Sequence, residues 1–418
     1  MIVSIIGLGY IGLPTAAVLA SKDIKVVGVD VNQYVVDTIN QGKIHIIEPG
    51  LDALVREAVQ KNHLKAVINP EKADVFMIAV PTPFKGNHEP DLSYIRLAAK
   101  AIAPVLEKGN LVILESTSPV GATEKMMTWM REERLDLSFP EFGNNNFIAD
   151  IAVAHCPERV LPGQVVRELI ENDRIIGGVT DYCAKQAKDL YKVFVDADCL
   201  LTDCRTAELS KLVENSFRDV NIAFANELSL ICDKLGINVW KLIELANHHP
   251  RVNILQPGPG VGGHCIAVDP WFIVDSAPDE AKLIRMARLV NDNKPNFVLN
   301  KIDCAVSLIG RSKMELKIAC LGLAFKPDID DLRESPALSI MRKISLMGFS
   351  EVLLAEPNIF TLPKEFKDKE QLVSLVLADE AIRAADIVVL LVDHTPFKSI
   401  DLGLLSGKQI IDTRGIWS

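Results

Sequence analysis

Ile2-Val3-Ser4-Ile5-Ile6-Gly7-Leu8-Gly9-Tyr10-Ile11-Gly12, running on into Leu13-Pro14-Thr15-Ala16-Ala17-Val18-Leu19-Ala20, is the stretch on which the fold turns. An apolar run of strand length enters a Gly-x-Gly-x-x-Gly turn, and the turn opens a stretch suited to a helix. In that arrangement Gly7 permits the tight turn, Gly9 lets backbone approach a pyrophosphate, and Gly12 lets helix and strand pack closely. The helix N-terminus offers N–H groups to phosphate, with Tyr10 and Ile11 in the same turn. Three glycines alone are weak evidence. A second strand, Lys25-Val26-Val27-Gly28-Val29, ends at Asp30, about 20 residues on, where a carboxylate accepts ribose hydroxyls and repels a 2′-phosphate. The expected cofactor is NAD and not NADP.

Further strand candidates at 74–80, 111–115 and 151–154 alternate with helical stretches, which implies a parallel, doubly wound α/β sheet. Ligands of such sheets sit outside the carboxyl ends of the strands. Pro81-Thr82-Pro83, Ser116-Thr117-Ser118-Pro119 and Cys156-Pro157-Glu158-Arg159 fall there, although Pro and Ser/Thr also punctuate strand ends by turn chemistry alone. From about Arg205 to Leu235 neither Pro nor Gly interrupts the chain, and the composition suits one long helix that divides the protein. On it Lys211, Asn215, Arg218 and Ile222 share one face. That stripe suits an anion or a developing oxyanion, or else a solvated helix face. A second strand-helix series begins at Lys317–Leu321 and continues through 351–355, 387–391 and 409–411. Its first turn, Gly322-Leu323-Ala324-Phe325-Lys326-Pro327, lacks the three-glycine pattern, so a phosphate there is expected to rest on Lys326 and Arg333.

At 418 residues the chain is too long for one ordinary core, and two or three domains are expected. No apolar run approaches the roughly 20 residues of a membrane helix, and the N-terminus enters the first strand directly, without the pattern of a signal peptide. A cytoplasmic protein with no membrane partner is expected. The formal charge of −10 is spread without basic patches, which argues against nucleic acid. Eight cysteines without a CxxC pair argue against a zinc site, and no metal is expected.

One of those cysteines stands apart. Pro257-Gly258-Pro259-Gly260-Val261-Gly262-Gly263-His264-Cys265-Ile266-Ala267-Val268-Asp269-Pro270 presents it beyond a glycine-rich turn and before an aspartate. A thiol attacks as thiolate, and a polar, backbone-lined site lowers its pKa where an apolar core raises it. Cysteine is also among the most buried residue types, so the segment alone leaves Cys265 between nucleophile and core filler.

Taken together, these motifs resemble one family along the whole chain, the UDP-glucose/UDP-mannose-type nucleotide-sugar 6-dehydrogenases. Gly7 to Gly12, Glu115-Ser116-Thr117, Cys156-Pro157-Glu158, Lys211 with Asn215, Gly262-Gly263-His264-Cys265 with Asp269, and Phe325-Lys326-Pro327 with Arg333-Glu334-Ser335-Pro336 occur in family order. The resemblance implies two Rossmann-like domains joined by a long central helix. Residues 1–200 would bind NAD, 201–300 would form a helical dimerisation region with the catalytic loop, and 301–418 would bind the UDP-sugar. It implies oxidation of a sugar C6 alcohol to a carboxylate with two NAD, through an aldehyde that the cysteine captures. Cys265 is then the nucleophile, Lys211 the acid/base and oxyanion partner, and Asn215 a second oxyanion donor. Asp269 orients water and lysine, Glu158 assists thioester hydrolysis, and Thr117 positions the water. Gly7, Gly9, Tyr10, Ile11, Gly12, Asp30, Thr82, Thr117 and Arg333 are the implied cofactor contacts. Arg159, Val160, Lys211, Asn215, Arg218, His249, Arg251, Gly262 and Lys326 are the implied substrate contacts. The chemistry is coherent, because a thiohemiacetal gives up a hydride where a free aldehyde is a poor donor.

Val261 and Ala267-Val268 stand where the glucose branch of the family has a tyrosine and Pro-Lys. The stretches 249–257 and 263–272 resemble instead the branch acting on UDP-N-acetyl-D-mannosamine. UDP-N-acetylglucosamine, UDP-N-acetylgalactosamine and UDP-glucose remain open as substrates. In the family the long helix is the dimer core, and Arg251 matches an arginine that reaches the partner's substrate, so a homodimer with shared sites is expected. Dehydrogenases of the 6-phosphogluconate and 3-hydroxyisobutyrate type also carry a helix-borne Lys and Asn, but they need neither Cys265 nor residues 317–418. A sugar-nucleotide sensor without chemistry would not need Lys211, Cys265 and Asp269 together.

Overall fold

The computed structural model describes residues 1–86, 88–161, 163–263, 265–369 and 371–417. Two units are distinguished, Met1–Glu214 with Trp271–Pro278, and Asn215–Pro270 with Asp279–Ser418. In the first, the strand Ile2–Ile6 leads through the glycine turn into the helix Gly12–Ser21, and the strand Lys25–Val29 lies parallel beside it with Ile2 facing Lys25. Eight strands form one sheet, which from edge to edge starts at Cys199, Arg174, Ala152, Leu111, Val75, Ile2, Lys25 and Leu64. Val75 and Met77 enter one core with Val3 and Ile5, whereas Phe76 and Ile78 enter another with Val112 and Leu114. Apolar side chains are thus needed on both faces, which is why these strands are nearly continuous apolar runs in the sequence, with Ser4 the exception in Ile2–Ile6.

Two strands at one edge depart from the expected all-parallel sheet, Arg174–Gly178 and its parallel neighbour Cys199–Asp203. Arg174–Gly178 runs antiparallel to Ala152–His155, with His155 opposite Gly177. An antiparallel neighbour needs no crossover to the far edge, so the connection 156–173 begins and ends at the carboxyl end of Ala152–His155 and carries Glu158 and Arg159 there.

The second unit holds a five-stranded parallel sheet whose strands start, in spatial order, at Val373, Glu351, Lys317, Ile387 and Gln409. Its central strand sends Ile318 and Cys320 into a core with Val298 and Ile302 of the helix Lys282–Ile309, and Ala319 and Leu321 into a core on the other face. The expected long helix spans Cys204–Leu235. At its middle Asp219 is fully buried, accepting from Arg288 Nη1 at 2.6 Å and from Asn291 Nδ2 at 2.8 Å. Asn291 Oδ1 in turn accepts from Asn226 Nδ2 at 2.9 Å. Burying a charge is tolerable only with such partners, so the helix is docked by a polar lock as well as by apolar packing. Among the described residues no helix is long and apolar enough to cross a membrane.

Candidate active site

The candidate residues divide between the units. The glycine turn, Asp30, Thr82, Thr117, Glu158, Arg159, Val160 and Lys211 belong to the first, and Asn215, Arg218, His249, Arg251, Gly262, Cys265, Asp269, Lys326 and Arg333 to the second.

In the first unit Gly7 adopts φ +94° and donates to Val29 O at 2.8 Å; a Cβ there would lie 2.6 Å from Ala79 O. At Gly12 a Cβ would lie 1.8 Å from Gly7 O, so this glycine is what allows the helix to abut the turn. The side of Gly9 where a Cβ would project is open. Asp30, half-buried, accepts from Leu8 N at 3.1 Å and from Asn32 N at 2.9 Å. Open backbone with a carboxylate beside it fits the pyrophosphate and ribose of NAD. Tyr10 is exposed and Ile11 half-buried on the same turn.

The turns after the next strands are tied to each other. Thr82 Oγ1 donates to Thr117 O, while Ser116 Oγ accepts from Val80 N at 2.9 Å and donates to Val80 O at 2.7 Å. Glu158 is buried, with Oε2 2.5 Å from Arg174 Nη1 and Oε1 accepting from Arg159 N at 2.6 Å. Arg159, taken as a substrate contact, here pairs with Glu214 Oε1 at 2.7 Å, and Val160 beside it is half-buried. Lys211 is half-buried on the long helix. Arg174 escaped the sequence reading because it lies on the unforeseen antiparallel strand.

In the second unit Cys265 is exposed. Its carbonyl accepts from Val268 N at 3.1 Å and Asp269 N at 2.8 Å, forming a turn that leads into the helix Asp269–Ser276. Asp269 is buried, and its Oδ2 accepts from Asn215 Nδ2 at 2.6 Å. His264 lies outside the described residues. The loop before Cys265 is fastened at several points. Gly258 N donates to Asn226 Oδ1 at 2.9 Å, and a Cβ at Gly262 would lie 2.6 Å from Glu334 O. Gly263, at φ +79°, packs against the Phe325 ring. The structure therefore joins the cysteine loop to the Phe325–Pro336 turn, on which Lys326 and Arg333 are exposed and Arg333 Nη2 lies 2.6 Å from Asp331. Arg218 is exposed and Ile222 half-buried on the helix. His249 and Arg251 are exposed on a loop whose base Asn247 closes, donating to Ile254 O at 3.0 Å and accepting from Ile254 N at 2.7 Å. Asn226, Asn291 and Asn247 were missed; the helices of Asn226 and Asn291 carry many other polar residues, so nothing local marked these two.

Burial separates the cysteines. Burial pushes the Cys320 thiol up to about 12, and burial with Glu115 nearby drives Cys156 well above its ordinary value. Both are inert fillers, whereas Cys265 is exposed on the glycine-rich loop; Cys304 is exposed too, but within the helix Lys282–Ile309. Among the described residues no group of three His, Cys, Asp or Glu side chains is placed to hold a metal.

The chain matches the UDP-glucose/GDP-mannose dehydrogenase family in three parts, its NAD binding domain over residues 1–195, its central domain over 205–293 and its UDP binding domain over 319–418. The second sugar nucleotide of that family is GDP-mannose, where the sequence resemblance named UDP-mannose. A UDP-N-acetyl-D-mannosamine dehydrogenase of Campylobacter jejuni is 64% identical, covering 94% of this chain and 96% of its own. An NDP-N-acetyl-D-galactosaminuronic acid dehydrogenase of Ralstonia nicotianae is 60% identical, covering 100% and 96%. A solved UDP-D-ManNAc dehydrogenase of Pyrococcus horikoshii superposes with a TM-score of 0.88 at 40% identity, covering 100% of this chain and 96% of its own. With every segment of its length accounted for by these matches, the chain belongs to the UDP-glucose/GDP-mannose dehydrogenase family.

Proposed function

We propose that the protein is an NAD-dependent UDP-N-acetyl-D-mannosamine 6-dehydrogenase, taking the C6 alcohol to the carboxylate in two oxidations. The observation that carries this reading is the exposed Cys265 on a turn that ends at Asp269, which is itself clasped by Asn215 at 2.6 Å. The Gly7–Gly12 turn and Asp30 would hold NAD, which would supply the hydride acceptor for each of the two oxidations at C6. Between the oxidations the Cys265 thiolate adds to the aldehyde carbon; loss of the second hydride leaves a thioester on sulfur. Water then attacks the carbonyl carbon, Glu158 takes its proton, and the C–S bond breaks to restore the thiolate. The Lys211 ammonium favours thiolate and serves as acid/base and oxyanion partner. Asn215 spends one amide hydrogen on Asp269 and keeps the other for the oxyanion. Asp269 orients water and lysine, and Thr117 positions the water. Lys326, Gly262, His249 and Arg218 face the sugar nucleotide, and Arg333 the cofactor.

We assign residues 1–200 to NAD, 201–300 to dimerisation and the catalytic loop, and 301–418 to the UDP-sugar. A homodimer is supported by a stripe of exposed apolar residues along the long helix, Leu209, Val213, Phe217, Phe224 and Ile231. Arg251, on its closed loop, reaches the partner's substrate. A reaction on these soluble nucleotides is set in the cytoplasm.

The test is NADH formation over a panel of UDP-sugars with the product identified by mass. Two NADH per UDP-N-acetyl-D-mannosamine are expected, with acid formation nearly abolished in Cys265→Ala. A kcat/KM for UDP-N-acetyl-D-galactosamine at or above that for the manno epimer would move the assignment to the reaction of the Ralstonia relative. Mixing Cys265→Ala with Arg251→Ala subunits should restore one whole site per dimer; subunit exchange without recovered activity overturns the shared site.

A further inference from the structure

Behind Glu158 lies a buried polar quartet. Arg174, on the antiparallel strand, holds Glu158 at 2.5 Å and lies over the Tyr191 ring at 5.2 Å. Tyr191, on the helix Asp181–Tyr191, donates its hydroxyl to Glu115 Oε1 at 2.7 Å. Glu115 follows the strand Leu111–Leu114 and is 2% exposed; Arg174 is 2% and Tyr191 0% exposed. The thiols of Cys156, in the Glu158 turn, and Cys199, on the edge strand, interact electrostatically with members of the quartet, and Arg159 N donates to Glu158. Two carboxylates thus share one guanidinium out of water, and only one can be ionised there without leaving an uncompensated buried charge.

We propose that Arg174, braced by Tyr191 and Glu115, is the positioning residue that holds and aims Glu158 as the base for thioester hydrolysis. The inference rests on the role given to Glu158 above. Because Glu158 Oε2 accepts from Arg174 and Oε1 accepts from Arg159 N, the plane of the carboxylate is fixed. Burial, then the neighbouring Glu158, push Glu115 up to about 7, against the opposing pull of Arg174 and Tyr191. Below that pH the guanidinium serves Glu158 alone. Above it, an ionised Glu115 competes for Arg174 and loosens Glu158.

The proposal is tested on the acyl-enzyme. Substrate and NAD are mixed rapidly, and the thioester on Cys265 is followed by intact mass while NADH reports the hydride steps. Glu158→Gln is expected to slow thioester decay by about 10²–10⁴-fold. Arg174→Lys, which keeps the charge but loses the fork, is expected to slow decay about 10-fold while the first hydride step keeps its rate. The wild-type decay rate should fall through an inflection near pH 7 that is absent in Glu115→Gln. Tyr191→Phe should move that inflection, because the phenol then gives Glu115 no hydrogen bond. If Glu158→Gln traps the thioester while Arg174→Lys and Glu115→Gln decay at the wild-type rate and with the wild-type profile, the positioning role is wrong and the base stands. If Glu158→Gln decays normally, the base itself is misassigned and the inference falls with it. Should Arg174→Lys not fold, the Glu115→Gln profile decides by itself.

Discussion

The two glycine turns that open the two sheets are nearly the same structure put to different uses. Gly7 and Gly322 adopt φ +94° and +93°, and they donate to Val29 O at 2.8 Å and to Ala355 O at 2.9 Å. Beyond the shared turn they diverge. In the first, Asp30 takes one turn amide, Leu8 N, and the side of Gly9 stays open. In the second, Glu356 is buried and accepts from Leu323 N at 2.7 Å, Ala324 N at 3.3 Å and Asn358 N at 3.1 Å. Its Oε2 also lies 3.0 Å from Nε2 of the fully buried His394. Ala324 stands where Gly9 does and is 1% exposed. The second turn has filled its own amide cradle with a carboxylate, so it cannot receive a pyrophosphate as the first can. A shared fold therefore says little about the ligand, which is decided by what occupies the turn.

The largest expected effects test the shared part. Gly7→Ala and Gly322→Ala should each lose about 2 kcal/mol or more in urea unfolding, since both combine positive φ with a Cβ position 2.6 Å from Ala79 O or 2.4 Å from Val392 Cβ. A loss at only one of them would break the equivalence.

Glu356→Gln should come next, at about 2 kcal/mol for a buried carboxylate that loses charge-assisted bonds. Burial alone would raise this carboxyl, but His394 and the Leu323 and Asn358 amides outweigh it and hold its pKa below the ordinary value. A lowered folded pKa contributes stability that is present above the ordinary carboxylate range and is lost as pH falls through the folded value. The deficit of the Gln variant should therefore be full at neutral pH and shrink in acid; a constant deficit would mean that packing, not charge, matters there.

Asp30→Ala should differ in kind. It should weaken NAD about 10-fold and relax discrimination against NADP, with little change in unfolding, measured by fluorescence titration beside urea melts. Equal stability losses for Asp30→Ala and Glu356→Gln would erase the contrast between an open and a filled turn. The smallest effect sharpens it. Ala324→Gly should cost about 1 kcal/mol or less of stability and leave NAD affinity alone, whereas Gly9→Ala should weaken NAD without a comparable stability loss.

Much of this was legible in the chain. Both glycine turns, the strands that feed them, the long helix and the cysteine loop are local patterns, in which neighbours in sequence are neighbours in space. The strands Leu64–Val67, Arg174–Gly178 and Cys199–Asp203 were not foreseen. They are no shorter than the foreseen strands Val75–Ile78 and Leu111–Leu114, but Lys65, Gly177 and Gly178 or Thr202 and Asp203 dilute the apolar signal on which strand reading depends.

By itself the sequence determined two α/β sheets and the place and type of the cofactor turn, and it set Cys265 on a glycine-rich turn without deciding its role. Only the tertiary structure decided that Arg174 meets Glu158, that Tyr191 meets Glu115 across 76 residues of chain, and that His394 meets Glu356 across 38. Turn and helix signals arise from φ, ψ and side-chain period within a few residues. A buried charge, in contrast, takes its partner from whichever strand the sheet order sets beside it, and that order is fixed by the packing of the whole sheet.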